Sequence, residues 1–61
     1  MMRPGFYLSE SGTLQKWMPK VSNHQIMYTV KDGAWIKVKY TNAQLKLITS
    51  ILDFKYLGPL K

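Results

Sequence analysis

Two stretches in the middle of the chain alternate strictly between apolar and polar positions, the period-two signature of strands with one buried face. Gln25 to Val30 places Ile26, Tyr28 and Val30 together, and Trp35 to Tyr40 places Ile36, Val38 and Tyr40 together. Asp32-Gly33 between them marks a hairpin turn. Directly paired residues share a face, so a two-residue Asp32-Gly33 turn would set Val30 against Trp35 and mix the apolar side with the lysine side. A three-residue loop, Lys31-Asp32-Gly33 with Gly33 in the left-handed region, instead pairs Val30 with Ala34, Tyr28 with Ile36 and Ile26 with Val38. The second register is the expected one. It directs Ile26, Tyr28, Val30, Ala34, Ile36, Val38 and Tyr40 to the core and turns Gln25, Met27, Thr29, Trp35, Lys37 and Lys39 outward.

An earlier hairpin precedes this one. Phe6 to Leu8 and Thr13 to Met18 read as short strands around the turn-forming Ser9-Glu10-Ser11-Gly12. Pro19, with no N–H for a ladder, ends the second of them. Two registers are open: a three-residue loop pairs Leu8 with Leu14, and a four-residue loop pairs Leu8 with Thr13 and Tyr7 with Leu14. Lys20 to His24 is a polar connection.

After the second hairpin the period changes. Thr41 and Gln44 stand in the spacing of a capping box, in which a hydroxyl and an amide side chain each satisfy one free N–H at a helix start. Wound as a helix, residues 43 to 54 put Ala43, Leu47, Ile51 and Phe54 on one side and Leu45, Ile48 and Leu52 on an adjoining one. The apolar arc is about 200° wide, whereas a helix lying on one sheet needs only somewhat more than about 100°. A surplus greasy strip is expected. Lys55-Tyr56-Leu57 either adds a short strand or packs down, and Gly58-Pro59 ends regular structure. The pattern predicts a single α+β domain over residues 1–61: two β-hairpins forming a small antiparallel sheet or open barrel, packed by one C-terminal helix in the order ββββα. In layout alone, that order is similar to the small archaeal chromatin proteins with a five-stranded barrel and closing helix.

Composition narrows what such a domain can do. A chain of 61 residues buries only about 60% of the surface it exposes when unfolded, which leaves little room for a deep catalytic cleft. There is no cysteine, hence no disulfide and no thiolate ligand. The N-terminal MMRPGFYL lacks the apolar core of a secretory signal, and no run approaches the length of a membrane span, so the expected compartment is the cytoplasm, with no membrane partner. Nine Lys and Arg against Glu10, Asp32 and Asp53 give a formal charge of +6. Such a field draws a small protein toward nucleic acid, anionic membranes or acidic protein surfaces, and charge alone does not choose among them. Only Arg3 is an arginine, which argues against reading specific bases, because the bidentate guanine contact is mostly an arginine contact.

Catalytic chemistry is not spelled in the chain. His24 is the sole histidine, in a polar stretch beside Asn23. Together with three scattered carboxylates it supplies no recognisable zinc set. Neither a Ser-His-Asp arrangement, a carboxylate pair nor a glycine-rich phosphate cradle is present. A non-enzymatic protein without metal or cofactor is expected, and two binding surfaces are candidates. Trp35, Lys37 and Lys39, helped by Lys31, Met27 and Thr29, make a stacking-plus-charge strand face suited to sequence-nonspecific nucleic-acid binding. The second candidate is Gln44-Leu45-Lys46-Leu47-Ile48, which resembles the Gln-Leu-(Ser/Asp)-Leu-Phe pentapeptide by which bacterial polymerases and repair proteins bind the DNA sliding clamp. Lys46 and Ile48 depart from that pattern. The resemblance implies Gln44 as polar anchor and Leu45, Leu47 and Ile48 as apolar plugs, with Leu52 extending the strip. In general character the chain resembles the small takeover proteins of bacteriophages. By that resemblance it would dock on the clamp in the host bacterial cytoplasm and block replication by competition; this is the expected function, with nucleic-acid binding as the alternative.

Overall fold

The computed structural model describes residues 2–60. The elements run β1 (Gly5–Ser9), β2 (Leu14–Trp17), β3 (His24–Lys31), β4 (Ala34–Thr41), α1 (Asn42–Ile51) and β5 (Phe54–Gly58). All five strands form one antiparallel sheet in the order β4-β3-β2-β1-β5. The fold is α+β, as the sequence pattern predicts, with one strand added. Residues 54 to 58 pair with β1, so α1 carries the chain across one face from the β4 edge to the opposite edge. The predicted helix therefore ends sooner than its apolar period suggests, and Phe54 opens β5 instead of closing α1.

The first hairpin takes the shorter of the two open loops. Leu8 lies opposite Leu14, Glu10-Ser11-Gly12 forms the loop, and Gly12 adopts a φ of 85°. The second hairpin does not take the three-residue loop expected of it. Val30 lies opposite Trp35 and Lys31 opposite Ala34, which leaves Asp32-Gly33 as a two-residue turn. Asp32 at φ 52° and Gly33 at φ 78° have the paired left-handed conformation of the type I′ turn, whose twist matches that of the flanking strands. Turn chemistry thus outweighs the tally of apolar residues, and the one-residue difference in register inverts the faces of β3. Gln25, Met27 and Thr29 share a face with Tyr40, Val38 and Ile36, while Ile26, Tyr28 and Val30 share the other with Lys39, Lys37 and Trp35. The expected orientation holds along β4, although Ala34 and Ile36 stay exposed near the turn, and is reversed along β3.

The core explains why this inversion is stable. Trp17 is wholly buried, stacked on Tyr40 at 5.5 Å and edge-on to Phe54 at 6.0 Å, and Met27 lies directly opposite it. Turning Met27 inward fills the space beside that indole. Gln25, also fully buried, is satisfied at every turn: its Nε2 donates to the Met2 carbonyl (2.8 Å) and the Met18 carbonyl (2.9 Å), and its Oε1 accepts from the Met2 N–H (3.2 Å). A buried amide with all its partners replaces the missing ladder bonds of the N-terminal segment. Tyr7 and Tyr56 meet edge-on at 5.2 Å. Burial, with Tyr56 nearby, holds the Tyr7 phenol above its usual range, against the pull of Arg3, and its hydroxyl donates to the Arg3 carbonyl.

Helix α1 lies on this same face through Leu45, which is buried, and half-buried Ile48. The capping box forms as its spacing predicts: the Thr41 hydroxyl accepts from the Gln44 N–H at 3.3 Å, and the Gln44 Oε1 accepts from the Thr41 N–H at 2.9 Å. Thr41→Ala should therefore lower stability by about 1 kcal/mol, seen as a lower urea midpoint at unchanged slope. An unchanged midpoint would mean that packing alone fixes the helix start.

Candidate functional site

The helix covers one face of the sheet and leaves the other open. Register assigns Phe6 and Leu8 of β1, Leu14 and Lys16 of β2, Ile26, Tyr28 and Val30 of β3, Trp35, Lys37 and Lys39 of β4, and Lys55 of β5 to that open face. One lateral row runs Phe6, Lys16, Tyr28, Lys37 across four strands, so rings and ammonium groups alternate. At adjacent positions Val30 pairs with Trp35 and Ile26 with Lys39. None of the three acids falls here: Glu10 and Asp32 lie in turns, and Asp53 lies between α1 and β5.

Toward the β4 edge of the face lies a three-residue unit. The Lys16 ammonium lies 5.2 Å from the ring centroid of Tyr28 and 5.2 Å from that of Trp35. Its stem starts on β2 and its ammonium rests on the rings of β3 and β4, a cation–π arrangement. Trp35 remains 44% exposed, and Lys37 and Lys39 are exposed beside it. Tyr28, Ile26 and Val30 are half-buried, which makes an apolar floor with lysines beside it.

Of the residues the sequence singles out for a strand-face site, Trp35, Lys37 and Lys39 lie together on this open face. Met27 and Thr29 do not: both are carried to the helix side by the β3 inversion, where Met27 is buried. Lys31 opposes Ala34 at the turn, on the helix side of the register. In their place the structure brings Lys16, Tyr28 and Phe6 into the site, and none of the three is a sequence candidate. The readable signal for Tyr28 was Asp32-Gly33, the strongest short hairpin cue. Lys16 depends on the pairing of β2 with β3, which no local pattern announces.

The pentapeptide Gln44 to Ile48 is folded into α1. Gln44 is exposed, but its side-chain oxygen is engaged in the capping box. Leu45 is sealed at 2% exposure and Ile48 packs against the core, whereas Leu47 at 60%, Ile51 at 65% and Leu52 at 43% are open to solvent. The surplus apolar strip thus exists, on the Leu47/Ile51 side of the helix. Beside the C-terminal end of α1 lies a cleft of about 340 Å³, floored by Trp17, Met27, Tyr40 and Phe54 and rimmed by Glu10 and Asp53. The Glu10 carboxylate there accepts from the Asp53 N–H at 2.7 Å.

Among the described residues, no three His, Cys, Asp or Glu gather as metal ligands, and no helix is long and apolar enough to cross a membrane. His24 begins β3, its Nδ1 2.8 Å from the Asn23 side-chain oxygen. No family model, curated protein or solved structure matches the chain.

Proposed function

We propose that the chain is a small, non-enzymatic, sequence-nonspecific nucleic-acid-binding protein whose interface is the open face of its sheet. The observation that carries this reading is the unit of Lys16 over Tyr28 and Trp35, set beside a row that alternates ring and cation with no acid on the face. Lysine ammoniums contact phosphates and release condensed counterions, which supplies affinity without base identity. Exposed rings add stacking, which tolerates any base. The helix and the core pack on the opposite face and take no part in contact.

Neutralising the face should remove the binding. Lys16→Gln, Lys37→Gln and Lys39→Gln combined should weaken capture of a fluorescent oligonucleotide by at least about a hundredfold at low salt, since each lost phosphate contact removes most of one released counterion. Fluorescence anisotropy reads the loss and circular dichroism verifies the fold. Unchanged affinity in a folded triple variant would overturn the reading.

A second reading rests on the strip of Leu47, Ile51 and Leu52. In it the chain is a phage-type inhibitor that docks α1 on a bacterial protein such as the DNA sliding clamp, in the host cytoplasm. With Leu45 sealed and the Gln44 oxygen engaged, the folded helix offers Leu47 and its neighbours rather than the whole pentapeptide. Clamp capture that Leu47→Ser abolishes and nuclease leaves intact would favour this reading; clamp capture that ignores Leu47→Ser would remove it.

A further inference from the structure

Resting on the nucleic-acid reading above, we infer that the ligand is single-stranded, and that Trp35 and Tyr28 each take the face of one base while Lys16 takes the phosphate between them. The register fixes the geometry. Tyr28 is directly opposite Lys37, so Trp35, two residues earlier on β4, is the diagonal neighbour of Tyr28. Diagonal neighbours across an antiparallel pair stand about 7 Å apart. Stacked bases rise only about 3.4 Å. Two bases that lie flat on the two rings are therefore about twice as far apart as stacked neighbours, so their stack has to be opened. A single strand opens a stack readily; a duplex cannot present two base faces without melting. The Lys16 ammonium is equidistant from the two ring centroids, 5.2 Å from each, and so lies within reach of a phosphate that links the two bases.

The shape of the face leads to the same ligand. Five strands spaced about 4.8 Å apart make a surface about 19 Å across, whereas the major groove of a duplex is about 12 Å wide and admits a helix or a two-stranded ribbon. Tyr28 sits on β3 between β2 and β4, and Trp35 sits on the edge strand β4 beside the turn, so the two rings and Lys16 of β2 share one stretch of this surface. On a duplex only the exposed lysines would reach phosphate, and Tyr28 and Trp35 would touch nothing that distinguishes one ligand from another. On a single strand the rings and the ammonium act as one unit.

The test compares a short fluorescent oligothymidylate with a blunt duplex of the same length, at one fixed low salt concentration. The single strand should bind at least about tenfold more tightly than the duplex. Trp35→Ala and Tyr28→Ala should each weaken the single strand by about 5- to 100-fold, the range expected for one lost base stack, and leave the duplex within about twofold. Trp35→Phe, which keeps a ring on the exposed strand, should retain most of the single-strand affinity and separates stacking from any loss of fold, which thermal melting checks independently. Equal affinity for the two ligands, or ring removal that affects neither, would overturn the single-strand inference while leaving nucleic-acid binding standing. Failure of the unaltered protein to bind either ligand would overturn both.

Discussion

Trp17→Ala should leave the chain largely unfolded at room temperature, without a cooperative thermal transition and with its near-ultraviolet dichroism collapsed. Trp17 is the largest fully buried side chain of the core, touching Tyr40 of β4 on its face and Phe54 of β5 on its edge, with its Nε1 donating to the Gln15 side-chain oxygen at 3.1 Å. Removing a fully buried tryptophan costs about 3–5 kcal/mol through lost transfer energy and residual cavity. A chain of 61 residues has in total only roughly 3–9 kcal/mol at the usual stability per residue. The loss is of the same size as the whole. Trp35→Ala, on the exposed side of the sheet, should by contrast shift the melt only slightly, because the indole is 44% exposed and its cation–π contact with Lys16 at such a site contributes only about 0.5–1 kcal/mol. A Trp17→Ala variant that melts like the parent would show that the aromatic cluster is not what joins the sheet to its closing strand and helix.

The contrast between the two tryptophans shows what could be read from the chain alone. Trp35 stood in an alternating run beside Lys37 and Lys39, and that periodicity placed it on the outward face of β4, where it is found. Trp17 gave no such signal, because β2 is only four residues long and its two sides are Gln15 with Trp17 and Leu14 with Lys16; alternation over so few positions does not say which side is the core. The capping box at Thr41 and Gln44 was legible because both partners lie within one turn of helix and need no tertiary context.

Along β3 the apolar pattern and the packed structure diverge for a physical reason. A count of apolar residues favours Ile26, Tyr28 and Val30 inside, but Met27 fits against Trp17 and Gln25 finds three backbone partners on the inner face. Both advantages come from segments remote in sequence. The outer face keeps its apolar residues half-buried by neighbouring strands, so the cost of reversal is smaller than full exposure would make it. β5 escaped a firm assignment for a related reason: its place depends on Gly5, where the chain runs at φ 151° and an added Cβ would stand 2.5 Å from the Gly58 carbonyl oxygen. Only contact with the far end of the chain reveals why that position is glycine.

Raising salt fourfold, from about 50 to about 200 mM, should weaken single-strand binding about fiftyfold. That figure follows from the four lysines on the open face, Lys16, Lys37, Lys39 and Lys55, at a slope of about −0.7 per phosphate contact, or about −3 in all. The decisive comparison is positional. Lys37→Gln with Lys39→Gln should halve the slope, so that the same change in salt costs only about sevenfold. Lys31→Gln with Lys46→Gln removes two charges as well, from the turn on the helix side of the register and from α1, and should leave the slope unaltered. Both double variants carry the same net charge, so a diffuse attraction by the whole molecule predicts equal slopes for them. Equal slopes would mean that no face is selected and that the row of rings and ammoniums is incidental to binding. Unequal slopes in the stated order would place the phosphates on β4 and its neighbours. The affinity that persists at high salt would then measure what Trp35 and Tyr28 contribute by stacking, because that part of the interaction releases no counterion.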